Sequence, residues 1–293
     1  MLVTQDLDQV RQRFLALKSS RLRDQFLSDL FAHGDPVSST QAVGQLLRGE
    51  QRPSVLVAIL KHARSAGVKI PLSDVAPLLE VANSDVLRAT SPIAVALGPA
   101  GEQAVIEAVG RHRPSIQPYL LAALRHGSDP RVTEELRRIA ADSRQSRDPR
   151  IVAMRALARR EGAGLTEFYV SLLTDPKADI QNVAMTCLLS VGAMDRGREV
   201  LAWLKRQKRL NDQYLPTGFR LAVAYLMCAF GSEHQLMAEV VDLVRTRQQE
   251  LELQDRDWLG RVAPDVLGPL ATAEVVVRAD CVQLRAESPL GRT

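Results

Sequence analysis

A chain of 293 residues, with 46% hydrophobic and 25% charged side chains and a formal net charge of +4, holds enough apolar material for a sizeable core, which excludes a disordered chain. Only 4% of the residues are aromatic, and the abundance of Ala, Leu and Val favours closely packed helices over a β-sandwich or barrel. The longest uncharged apolar run, 221–230, is about half of what a bilayer-spanning helix needs, so no membrane span is expected.

In chain order the pattern reads as helix after helix. Residues 5–17 form a first charged, amphipathic helix, and 21–34 form an apolar one that ends at Gly34. The same ending recurs, because segments 53–67, 85–98, 115–127, 148–162, 179–192 and 214–231 close at Gly67, Gly98, Gly127, Gly162, Gly192 and Gly231. Successive glycines stand 33, 31, 29, 35, 30 and 39 residues apart, a period near 33. Each is expected to end a helix in the left-handed conformation, which glycine adopts without a Cβ clash. Inside the segments, Ile151, Met154, Leu157 and Ala158 recur at helical spacing, as do Ile180, Val183, Ala184, Cys187 and Leu188. Second helices fill the intervals at 72–83, 101–112, 129–141, 165–173, 196–208 and 232–248, with a short one at 41–48. Asp35, Asp129, Asp148 and Asp175 each precede a proline and read as N-caps followed by proline in the first helical position. Pro92 is expected either to kink its helix or to delay the start to a Ser91 N-cap.

The unit is therefore an outer helix, a turn, an inner helix and a glycine. One such hairpin cannot bury its apolar face alone, so neighbours must stack. The expected fold is all-α: a right-handed α-α superhelix, or solenoid, of about seven helical hairpins over residues 1–250. After Gln254 the chain turns β-prone, with Val275, Val276 and Val277, then Cys281, Val282 and Leu284. Residues 251–293 are read as an irregular cap and tail, for which a short strand pair is one form.

The segments Asp-Pro-Arg-Ile-Val-Ala-Met-Arg-Ala-Leu-Ala from Asp148 and Asp-Ile-Gln-Asn-Val-Ala-Met-Thr-Cys-Leu-Leu-Ser-Val-Gly from Asp179 resemble HEAT-like repeats of the phycobilisome-lyase class. The likeness covers roughly residues 20–250 and implies a HEAT-like solenoid. That class includes bilin lyases, scaffolds and regulators, so the resemblance specifies fold better than function. The HEAT-like alkylpurine DNA glycosylases work through aromatic, acidic and basic residues on a concave face. Here Trp203 and Trp258 fall on an outer helix and in the cap, and no catalytic residue carries over from either group.

Signatures of chemistry are absent: the sequence has no Gly-rich phosphate loop, no G-x-S-x-G, no H-E-x-x-H and no C-x-x-C. No cofactor and no metal are expected. Cys187 and Cys228 lie in apolar helical runs and read as buried, inert thiols; Cys281 stands apart. His33, His62, His112 and His126 fall at helix ends, where the dipole favours positive charge, and His234 opens a helix. With no secretory signal visible at the N-terminus, a cytoplasmic protein is expected.

Charge carries the one functional hint. Residues 111–160 hold 12 basic and 5 acidic side chains, whereas residues 1–110 balance at 11 each. Arg125, Arg150, Arg155, Arg159 and Arg160 belong to inner helices and are the candidate partner-binding patch. A second candidate is the basic helix bearing Arg198, Trp203, Lys205, Arg206 and Arg209, although such a helix is more often an outer helix with its apolar side inward. The leading functional expectation is a non-enzymatic scaffold or adaptor that binds an acidic protein partner. A nucleic-acid-binding protein, with glycosylase-like activity as one form of it, is the alternative, and a lyase or chaperone acting on a partner protein comes third.

Overall fold

The computed structural model describes residues 7–192, 194–207, 218–230, 235–251 and 253–262. Every regular element among them is helical. In chain order the helices are α1 (Leu7–Ala16), α2 (Ser20–His33), α3 (Pro36–Leu47), α4 (Pro53–Ser65), α5 (Leu72–Val75), α6 (Ser84–Val95), α7 (Pro99–Arg111) and α8 (Gln117–Leu121). Then come α9 (Pro130–Ala141), α10 (Arg147–Glu161), α11 (Thr166–Leu172), α12 (Ala178–Val191), α13 (Gly197–Arg206), α14 (Gly218–Phe230), α15 (Gln235–Thr246) and α16 (Leu253–Val262). Short 3-10 turns at Ala76–Glu80 and Ala123–His126 continue α5 and α8. No helix among the described residues is long and apolar enough to cross a membrane.

The chain divides into two compact units, Met1–Leu136 and Arg137–Thr293, with the division falling inside α9. In the first unit α2 packs on α4, α4 on α6 and α6 on α8, while α7 lies against α6. In the second, α10 packs on α12 and α12 on α14, with α11 against α12, α13 against α14 and α15 against α14. Within each unit, then, alternate helices form a consecutive row and the helices between them pair with members of that row. Burial follows the periodicity: Ala153, Met154, Ala156 and Leu157 of α10 and Ile180, Ala184, Cys187 and Leu188 of α12 are all buried. Small side chains such as Ala153 and Ala184 let the backbones approach closely.

The start signals are used unevenly. Asp35 caps α3 by accepting from the amides of Val37 and Ser38, both at 3.0 Å. Hydrogen bonds from the Ser38 hydroxyl and amide hold the Asp35 carboxyl below its ordinary range. With this cap engaged, α3 begins at Pro36 rather than at 41, where the apolar pattern placed it; its first turn is built from Val37, Ser38 and Ser39. Asp129 accepts from the amide of Arg131 at 2.9 Å as α9 begins at Pro130. Asp148 and Asp175 correct the expectation: Ser146 is the N-cap residue of α10, which puts Asp148 in its first turn, and α12 begins after Lys177, so Asp175 accepts from the Lys177 amide at 2.9 Å ahead of the helix rather than capping it.

The glycines also divide. Gly67, Gly98, Gly162 and Gly192 have positive φ, whereas Gly34 and Gly127 are extended, with φ of −80 and −82. Gly34 is needed for space instead, because a Cβ there would stand 2.5 Å from the Ser39 hydroxyl and 2.8 Å from the Leu30 carbonyl. Gly231 lies outside the described residues. Pro92 sits inside α6 without delaying its start; the Thr90 and Ser91 hydroxyls donate to the carbonyls of Val86 and Leu87, each at 2.7 Å. The fourth inner helix is shorter than expected because Gln117 opens α8 while its amide donates to Val109 and His112 carbonyls at the end of α7. At the other end, residues 253–262, expected in the irregular cap, form α16. The proposed strand pair at 275–284 lies outside the described residues.

Candidate interaction face

Arg150 overturns part of the candidate patch. Its side chain is fully buried: Nε donates to the Ala140 carbonyl at 2.9 Å, and Nη2 meets the Asp175 carboxylate at 2.5 Å. It cannot meet a partner; it is a core residue whose charge is answered by an acid from the connection before α12. The apolar period places position 150 on the buried side of α10, but not the acid that answers it, which lies 25 residues away.

The rest of the mid-chain basic surplus is also largely spoken for inside the fold. Arg111 pairs with Glu80, Arg131 with Asp129, Arg144 with Asp142 and Arg147 with Asp179. Arg137, Arg138 and Arg160 also have interactions of their own. Arg125, in the first unit, is exposed and donates from Nε to His126 Nε2 at 2.8 Å. What remains on α10 is Arg155, half-buried, and Arg159, exposed, neither with an acidic partner among the described residues. Arg160 is half-buried.

Helices α10 and α12 run parallel. Near their starts Lys177 Nζ donates to the Gln145 carbonyl and Arg147 pairs with Asp179; further along, Cys187 Sγ lies 3.9 Å from the Met154 carbonyl. The residue separations of 32 and 33 at these points fix the register. The side of α10 that is not buried carries Asp148, Val152, Arg155 and Arg159, and that of α12 carries Asp179, Asn182, Thr186 and Ser190. Each set is spaced at threes and fours, so each is one stripe along its helix.

Beneath the stripes lies a polar group of the core. Tyr169 donates from its hydroxyl to the Met154 carbonyl at 3.0 Å. Burial pushes the Cys187 thiol up to about 12, against the opposing pull of the Arg155 charge, and pushes the Tyr169 hydroxyl above its ordinary value. Cys187 is thus the inert thiol the sequence suggests. Cys228 is not: it is half-buried and disulfide-bonded. Arg155 Nε and Asn182 Nδ2 are covered and have no hydrogen-bond partner. Arg155 is therefore a partly desolvated cation with no counter-ion among the described residues, an arrangement that costs free energy until an anion answers it.

The second candidate, α13, turns its apolar side inward. Val200, Leu201, Trp203 and Leu204 are buried, and Trp203 Nε1 donates to Gln181 Oε1 at 2.7 Å. Lys205 is exposed but pairs with Glu239 at 2.5 Å, Arg198 and Arg206 are exposed, and Arg209 lies outside the described residues. Among the histidines, His62 faces Asp24 at 3.3 Å and His112 Nε2 meets the Leu79 carbonyl at 2.7 Å. The side chain of His33 and all of His234 lie outside what is described. The described residues contain no group of three His, Cys, Asp or Glu side chains that could hold a metal ion.

Among the described residues the protein is all-helical, alternate helices pack in consecutive rows within each unit, and Arg155 and Arg159 of α10 lack an acidic partner. Comparisons with protein-family models, characterised proteins and solved structures found no match.

Proposed function

We propose that the protein is a non-enzymatic scaffold or adaptor, a HEAT-like solenoid whose inner-helix face on α10 and α12 binds an acidic protein partner. The observation that carries this reading is the contrast along α10: Arg147 and Arg150 are paired within the fold, while Arg155 and Arg159 have no acid of their own among the described residues. An anion brought by a partner would answer these two charges. The consecutive rows α2, α4, α6, α8 and α10, α12, α14 support the solenoid reading, since each helix of a row buries its apolar side against the next. Because so much of the basic surplus is satisfied internally, little of it remains to follow a phosphate backbone, and the nucleic-acid alternative loses ground.

Affinity capture from a native lysate with the wild-type chain and with the Arg155→Glu, Arg159→Glu double variant tests this. The expected result is loss of at least one captured protein in the variant while its thermal transition is unchanged. If the two captured sets are identical, the α10 face is not the site. Electrophoretic mobility shifts at low salt test the alternative, which requires binding that collapses steeply as salt rises.

A further inference from the structure

Going beyond the presence of a docking face, but resting on that reading, we propose that the stripes of α10 and α12 receive an extended peptide segment whose carboxylates occur at alternate positions. The argument begins with spacing. Arg155 and Arg159 stand one turn apart, an axial distance of about 6 Å. In an extended peptide, side chains on one side recur every second residue, at roughly 6.6 Å. Two acids separated by one residue therefore match two arginines separated by three, and adjacent acids, which point to opposite sides, do not.

The second stripe favours a polypeptide over a nucleic acid. The Thr186 hydroxyl donates to the Asn182 carbonyl at 3.0 Å and the Ser190 hydroxyl to the Cys187 carbonyl at 2.8 Å. With their protons engaged, both oxygens present lone pairs to an incoming molecule and act as acceptors. The register places them within a turn of Arg155 and Arg159. An extended peptide carries backbone N–H donors along its length as well as carboxylates, so it satisfies both stripes. A sugar-phosphate backbone offers anions but no N–H donors.

The test uses the full chain and two fluorescein-labelled octapeptides of equal composition, one alternating Thr and Glu, the other, the block peptide, repeating Glu-Glu-Thr-Thr so that no two acids are separated by a single residue. Binding is read by fluorescence anisotropy. The alternating peptide is expected to bind about tenfold tighter than the block peptide, and Arg159→Gln, at an exposed position, to weaken it by about the same factor. Thr186→Val is expected to weaken the alternating peptide without changing the salt dependence. Equal affinity for the two peptides overturns the inference and leaves the docking face standing; so does retained affinity in Arg159→Gln with the captured set still altered in the double variant. An unlabelled single-stranded oligonucleotide that displaces the peptide at equimolar concentration overturns it in favour of nucleic acid. If neither peptide binds and the double variant captures the same proteins as wild type, the inference and the docking face fail together.

Discussion

Arg150 shows how a single side chain can be misread from pattern alone. In sequence it is one arginine among twelve in a basic stretch, but in the fold it is sealed in the core between the Ala140 carbonyl and Asp175. Arg150→Ala leaves a buried carboxylate unanswered and is expected to cost about 3–5 kcal/mol, whereas Arg150→Met combined with Asp175→Leu is expected to cost much less. Urea unfolding of both variants checks this; equal losses would contradict it. Cys187 offers a second prediction. Its pKa in the fold, about 12, lies above its ordinary value near 9, so the unfolded chain gives up the thiol proton first as pH rises. The contribution to stability is whole below about 9 and declines from there towards 12, so Cys187→Ala should flatten the alkaline fall in melting temperature. In the native protein at neutral pH the thiol should resist alkylation, becoming reactive only in denaturant.

Most helices were legible because their apolar residues recur at threes and fours and their ends carry punctuation; α2, α4, α6, α10 and α12 lie where the sequence puts them. The misses have physical causes. Helix α3 opens with Ser38, Ser39 and Thr40, which give no apolar period, and only its Asp35 cap betrays the true start. Asp148 and Asp175 share the Asp-Pro signature with Asp35 but not its role, because α10 already starts at Arg147 and Asp175 is held in a tertiary ion pair with Arg150 ahead of α12. Of the candidate face, Arg155 and Arg159 were legible as basic positions on an inner helix. Their lack of counter-ions was not, since it depends on acids far away in sequence. Packing between elements yields its own prediction at Gly101, where α7 crosses α6. A Cβ there would stand 1.8 Å from the Ala94 carbonyl, so Gly101→Ala should force the helices apart. The expected loss is about 1–3 kcal/mol by chemical denaturation, although alanine is otherwise the better helix former.

Within each unit the helices of a row pack on their neighbours, so loss of one is expected to disturb the next. Deleting residues 148–192 removes nearly all of α10 with α11 and α12, and so strips α14 of one of the helices it packs on. Differential scanning calorimetry should then show the cooperative transition of the second unit lost or broadened. A sharp transition at an unchanged temperature would refute the nearest-neighbour account. The Arg150 anchorage carries a separate implication for chain length. Its guanidinium is held from two sides, by the end of α9 and by the connection leading into α12, and Lys177 reaches the Gln145 carbonyl between the same stretches. Adding or removing one residue in either connector would pull a charge-bearing group out of reach of its mate. These two short loops should therefore tolerate changes of residue identity at their exposed positions while rejecting every insertion, a behaviour opposite to that of ordinary surface turns.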